Sequence, residues 1–303
     1  MVHRSRPTWR LPVAFLLVLA VLVLAGCQPA QTQSVDPTVA PPPAIPEVTI
    51  AINADGIVVP ADFPGGIVAV TVKNTDSKDL DVGFNRIVEG HTSAEVQPLL
   101  DDFMANMDAL MQMTSSMGSF NPVPAGGEME IIIDFRTGEF IVDSTEHSDG
   151  EPVAGAPHLF AIVEAKEIVG TVEPQADVVV ELHDFAYVMP DEIKAGDQLW
   201  EFKNEGEQFH MMFLVKPNAG VNMVDLMAAL AAEGEPTGPP PFEFVDGGTA
   251  PIGVGERVWV KFALEPGTYV AACPLPDMVA MMSGEQPMSH FQEGMMRTLT
   301  VTE

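Results

Sequence analysis

The chain has 303 residues, 47% of them hydrophobic, with 43 Asp and Glu against 14 Lys and Arg, a formal net charge of −29. A surface this acidic repels nucleic acid and anionic lipid headgroups and favours cationic partners or metal ions. The same charge also serves solubility in a salty habitat.

The first residues are basic, with Arg4, Arg6 and Arg10, and no acid precedes Asp36. An apolar run over residues 11–25, interrupted only by Pro12, ends in Leu24-Ala25-Gly26-Cys27. A basic start, a short apolar core and a small-residue cleavage site predict a secretory signal. The run is too short for an ordinary spanning helix, which needs roughly 20 apolar residues. Its last four residues resemble the bacterial lipobox. That resemblance implies a lipid on Cys27, a mature chain starting there, and a place in the cell envelope outside the cytoplasm, periplasmic or on the outer surface. Gln28, unlike Asp, does not point to inner-membrane retention. Residues 28–46 carry Pro29, Pro37, Pro41, Pro42, Pro43 and Pro46 among small polar residues, which predicts a semi-extended tether between lipid and protein. If Cys27 is lipidated, Cys273 has no disulfide partner in the chain. It is then an inert buried thiol, an intermolecular bridge or a metal ligand.

The roughly 250 residues that follow suffice for two domains. Short strands are predicted over residues 48–53, 66–74, 128–134, 138–142, 158–164, 177–186, 196–204, 211–215, 257–264, 268–273 and 297–302, separated by Gly, Pro and Asp turns. Residues 66–74 align with 196–204, and 135–142 with 264–271, at offsets of 130 and 129. A near-constant offset across two blocks indicates duplication. Many short strands in two copies predict an all-β fold of two tandem Greek-key sandwiches, 47–165 and 176–303, each with a helical insertion. In the first copy Thr92-Ser93-Ala94-Glu95 forms a capping box opening a helix to about residue 117, with Met104, Met107 and Met111 on one face as packing residues. In the second, Asn222 caps a helix to about residue 232. Ile168, Val169 and Val172 in the connecting segment 166–175 suggest that the two sandwiches pack together.

Four residues of the second copy suggest chemistry: His210, Cys273, His290 and Met295. One thiolate, two imidazoles and a thioether form a soft, mixed nitrogen–sulfur set. A His₂Cys plane with a weak axial Met is the arrangement of blue-copper electron-transfer sites. His210 follows the strand that ends at Asn204, Cys273 ends the strand begun at Thr268, and His290-x₄-Met295 leads into Leu299-Thr300-Val301. This order resembles the cupredoxins, the plastocyanin and azurin fold, over about residues 176–303 and, through the duplication, over 47–165 at the level of fold. The resemblance implies a type 1 copper centre with His210, Cys273 and His290 equatorial and Met295 axial, Met296 being the alternative. Two departures stand out. Sixteen residues separate Cys273 from His290 where the family has a few, and Met211 replaces the usual Asn after the first His. At the duplicated offsets Leu80 falls on His210 and Ser144 on Cys273, so the first copy is expected to be copper-free.

Catalysis is not expected. Copper oxidases and nitrite reductases couple their centres through a His beside the Cys, whereas Cys273 lies between Ala272 and Pro274, and only seven His occur. His91 and His183 are given no role. The leading expectation is a membrane-anchored copper protein passing single electrons. The alternatives are a Cu(I) carrier, motivated by Met278, Met281, Met282 and Met288, and a metal-free interaction module. A redox or copper-exchange protein and the membrane are the expected partners, with no nucleic acid.

Overall fold

The computed structural model describes residues 44–119, 122–148, 151–232 and 238–303. The signal, Cys27 and nearly all of the tether lie outside these residues. Pro43–Glu303 forms one compact unit.

The fold is all-β. The first half contains β1 (Glu47–Asn53), β2 (Gly56–Val58), β3 (Phe63–Asn74), β4 (Asp79–Ile87), α1 (Ser93–Leu100), α2 (Met107–Met113), β5 (Thr114–Ser116), β6 (Glu128–Asp134), β7 (Gly138–Ser148), β8 (Glu151–Pro152) and β9 (Leu159–Gly170). The second contains β10 (Val178–His183), β11 (Ala186–Val188), β12 (Glu192–Lys194), β13 (Gly196–Asn204), β14 (Phe213–Pro217), α3 (Met223–Leu230), β15 (Phe242–Gly248), β16 (Arg257–Leu264), β17 (Gly267–Ala272), α4 (Met278–Met282) and β18 (Met296–Thr302). Alternation drives the strands: Val48, Ile50 and Ile52 of β1 point inward, as do Met129, Ile131 and Ile133 of β6, with Glu47, Thr49, Glu128 and Glu130 outward.

The two halves match each other in strand register. Val48 pairs with Val70 between parallel β1 and β3, and Val178 with Trp200 between β10 and β13. Lys73 faces Glu128, and Lys203 faces Arg257. Gly83 faces Asp143, and Phe213 faces Ala272. In each half an Asn closing the long strand bonds equivalent carbonyls: Asn74 Nδ2 donates to Lys78 and Val123, Asn204 Nδ2 to Gln208 and Ile252.

The two halves share one sheet and one core. Antiparallel β6 and β16 join them through Val258–Ile133 and Trp259–Ile132, making a 13-stranded sheet. Strands β12, β18, β17, β14 and β15 form the second sheet, on the other side of the second half's core. A single buried cluster runs from Val48 to Val301. Arg86 donates to both oxygens of the buried Glu256 across the halves, at 2.8 and 3.0 Å, and Arg257 reaches Asp134 at 3.0 Å. Ile168 and Val169 of the connecting segment take no part in this packing, although Val172 is half-buried and Glu173 pairs with Arg257. Ile168 and Val169 are 57% and 56% exposed, and β9 runs on to Gly170 because its backbone still pairs with β3.

Two helix expectations change. The capping box at Thr92 and Glu95 forms, but the helix stops at Leu100 and restarts at Met107. Pro98 lacks an N–H for the helical ladder, and Asn106 Nδ2 donates to the Leu99 carbonyl, ending the first turn set. Thr114 Oγ1 then closes α2 on Leu110, and residues 114–116 pair with β4. The Met stripe is not core either: Met104 is 69% exposed, while Met107 and Met111 are half-buried and line a cavity. Asn222 caps α3 as expected, accepting from the Asp225 N–H at 2.9 Å. Among the described residues no helix is long and apolar enough to cross a membrane.

Candidate metal centre

His210, Cys273 and His290 come together at one end of the second half, all fully buried. Their ligand atoms lie within 4.8 Å of one another. His210 Nδ1 stands 3.1 Å from His290 Nδ1, and Cys273 Sγ stands 3.5 Å from His290 Nδ1. Donors this close could all bind one metal ion, with bonds of about 2.0–2.3 Å.

Local chain geometry explains the convergence. His210 follows the Asn204 turn, and its backbone pairs in both directions with Ile252. Cys273 follows β17. The 16-residue excursion after it is closed at its neck by a bridge between Pro276 and Ser289 and by Asp277 N–H to the Met288 carbonyl at 2.8 Å. Asp277 caps α4 within it, and Gln208 Oε1 accepts the Met278 N–H at 2.8 Å. The loop therefore folds on itself and returns His290 to Cys273. The His290 N–H reaches Leu275, Phe291 N–H reaches Cys273, and Cys273 N–H reaches Met295. Met295 is fully buried in the same cluster as Cys273. All four residues singled out from sequence thus sit at one place.

Electrostatics prepare the donors. The His210 Nε2 stands 2.8 Å from Asp184 Oδ1. A carboxylate only accepts, so the proton sits on Nε2 and the Nδ1 lone pair faces the cluster. Burial pushes His210 down despite that carboxylate. Burial and the neighbouring His210 push His290 down to about 4. Burial would raise Asp184, but hydrogen bonds from His210 and the Glu207 N–H outweigh it and hold its carboxyl below the usual value. Burial pushes the Cys273 thiol up to about 11, against backbone N–H groups of Met211 and Leu275 that favour the thiolate. Two imidazole Nδ1 atoms 3.1 Å apart leave lone pairs that a cation would satisfy. A thiolate, two imidazoles and a thioether are copper-type donors.

Sequence reasoning missed the supports of this cluster. Asp184 and Phe185 form the two-residue turn between β10 and β11, where His183 pairs with Ala186. Phe185 holds φ 62°, a left-handed conformation costly for a bulky residue, and its ring edge meets His290 at 5.3 Å. Gly206 lies flat on the carboxylate–imidazole contact: a Cβ there would stand 2.6 Å from both Asp184 Oδ1 and His210 Nε2. The signal was available at the duplicated offset, where Ala54 and Asp55 occupy the matching turn. A Phe where a turn favours Asn or Gly is the anomaly. His183 is half-exposed beside Glu181, as expected of a residue without a role. In the first half Leu80 bridges Val123 as His210 bridges Ile252, and the buried Ser144 holds the Cys273 position.

No family model and no curated relative matches the chain. Among solved structures it is similar to the dithionite-reduced auracyanin of Roseiflexus castenholzii, at 23% identity over 41% of this chain and 95% of that one, with a TM-score of 0.28. It is also similar to auracyanin A of Chloroflexus aurantiacus, a "blue" copper protein, at 22% identity over 41% and 98%, TM-score 0.28. Similarity to the copper nitrite reductase of Nitrosomonas europaea covers 86% of this chain and 95% of that one, at 11% identity and a TM-score of 0.24.

Proposed function

We propose that the chain is a lipid-anchored, extracytoplasmic copper protein of two tandem cupredoxin-like domains, 47–165 and 176–303, the second transferring single electrons. The observation that carries this reading is the buried cluster of His210, Cys273 and His290, with ligand atoms within 4.8 Å and Met295 buried beside it. Copper so held would supply a one-electron couple between its two oxidation states. The residues' own task is to hold geometry. Asp184 and Gly206 fix the His210 ring, Phe185 walls His290, and main-chain N–H groups stabilise the thiolate. A folded-back loop and a buried cluster limit reorganisation when charge changes. Leu80 and Ser144 at the equivalent positions support a copper-free first domain. We further propose that Cys27 carries the lipid, that residues 28–46 are the tether, that no catalysis occurs, and that the partner is a redox or copper-exchange protein.

The test is a Cu(II) titration of the purified full chain, followed by visible absorption and electron spin resonance. A thiolate-to-copper band saturating at one copper per chain and lost in Cys273→Ser is expected. A titration without band or bound copper refutes the reading.

One observation favours a second reading, a Cu(I) carrier. Met281, Met282 and Met288 on the Cys–His loop are 41%, 77% and 51% exposed, placing soft donors where a donor protein can reach them. Cu(I) uptake that survives His210→Ala but fails when these three are changed to Leu selects it. Uptake lost with His210 rejects it.

A further inference from the structure

A cavity of 580 Å³ lies over the outward face of β4 and β7, roofed by the α1–α2 insertion. Its size is that of a small-molecule site. Its body is apolar, formed by residues such as Leu100, Phe103, Met107 and Leu110, and by Phe209 and Met278 from the second half.

The floor is different in kind. Asp81 faces Thr145 and Gly83 faces Asp143 across the β4–β7 ladder, so all four stand on one patch. Position 83 is cut back to make room: a Cβ there would stand 2.4 Å from Asp143 Oδ1. Asp143 accepts from Asn85 Nδ2 at 2.7 Å, and Asp81 Oδ2 stands 2.9 Å from His147 Nδ1. Capacity remains. Asp81 Oδ1 and Thr145 Oγ1 are buried without a partner, and Thr145 is only 6% exposed. A buried acceptor left unpaired keeps its full desolvation penalty, so such groups mark a missing donor. Among the described residues no Lys or Arg lines the cavity. His158, stacked on Phe103 at 4.9 Å, is pushed towards the neutral form by burial. An enclosed patch of two carboxylates and a spare hydroxyl, whose basic neighbour His147 engages only Asp81 Oδ2, is complementary to a cation with several N–H donors.

We infer that this cavity binds a small organic amine, with its protonated amino group between Asp81 and Asp143 and its apolar body under the α1–α2 roof. An anion is rejected by the carboxylates. A neutral hydrocarbon fills the roof and leaves the floor unsatisfied. The site stands apart from the metal centre, since none of its floor residues is a candidate ligand. It touches that centre's surroundings through Phe209, next to His210, and Met278, on the Cys–His loop.

The experiment is isothermal titration calorimetry of the purified full chain, metal-free, with phenethylamine, n-octylamine and 3-phenylpropionate as probes. Saturable one-to-one binding of at least one amine is expected, with the carboxylate at least 10-fold weaker. Asp81→Asn and Asp143→Asn should each weaken the amine about 10-fold or more, while circular dichroism shows the fold retained. Cys273→Ser should bind the amine unchanged, which separates this site from the copper reading. Absence of saturable binding by either amine, or a carboxylate that binds as tightly, overturns the proposal on the unmodified protein, whatever the variants do.

Discussion

Asp143 carries a cost that grows with pH. Enclosure raises its carboxyl from 3.8 to about 6, the Asn85 hydrogen bond opposes this, and the charge of Asp81 adds to it. The folded state therefore holds the proton more tightly than the unfolded chain, and the native state is favoured below pH 4 and penalised progressively as pH rises through 6. A rise of this size corresponds to about 3 kcal/mol at most. The carboxylate also reaches the cavity, where water screens it, so about 1–2 kcal/mol is the better expectation. Asp143→Asn keeps shape and the contact with Asn85 but cannot ionise. Urea unfolding of both proteins from pH 4 to 7.5 should show equal stability at pH 4 and the variant ahead by about 1–2 kcal/mol at pH 7.5. The groups facing Asp143 are Asn85, Asp81, which is paired with His147, and His158, which burial pushes towards the neutral form. A stability difference independent of pH, or one favouring the native Asp as pH rises, refutes the reasoning. Saturating amine should shrink the difference, because it favours the ionised form.

Further outcomes follow from the metal cluster and the seam between the halves. Asp184→Asn, which lets His210 turn, should weaken copper binding about 10–100-fold without unfolding the protein, read by competition with a chelator. Gly206→Ala should broaden or shift the copper spectrum, because its Cβ would stand 2.6 Å from His210 Nε2; an unchanged spectrum would mean the contact is soft. Glu256→Gln strips the charge partner from Arg86, whose side chain is 11% exposed, and should destabilise by about 3–5 kcal/mol in urea unfolding. Asn204→Ala removes the donors to the Gln208 and Ile252 carbonyls and the acceptor of the Gly206 N–H and should cost about 2–4 kcal/mol, whereas a loss below about 1 kcal/mol would mean water replaces the amide.

The sequence by itself determined the all-β class, the repeat and the cluster, because each is written in local pattern. Period-two alternation marks strands such as 128–134 and 257–264, reproduced to the residue. A constant offset marks the duplication, and donor types in strand order mark His210, Cys273, His290 and Met295. Strand β4 escaped because Asp81, Gly83 and Asn85 read as turn chemistry; they are strand residues that face a cavity. Asp184, Phe185 and Gly206 escaped because a second support around a ligand is chosen by distance in space, and their spacing from His210 has no period. Only tertiary structure decided how the halves join, through β6 and β16 and the Arg86–Glu256 pair. Pairing between distant strands depends on which edges meet once both cores have formed; the apolar residues of the connecting segment indicated that the halves pack together, but not through which strands.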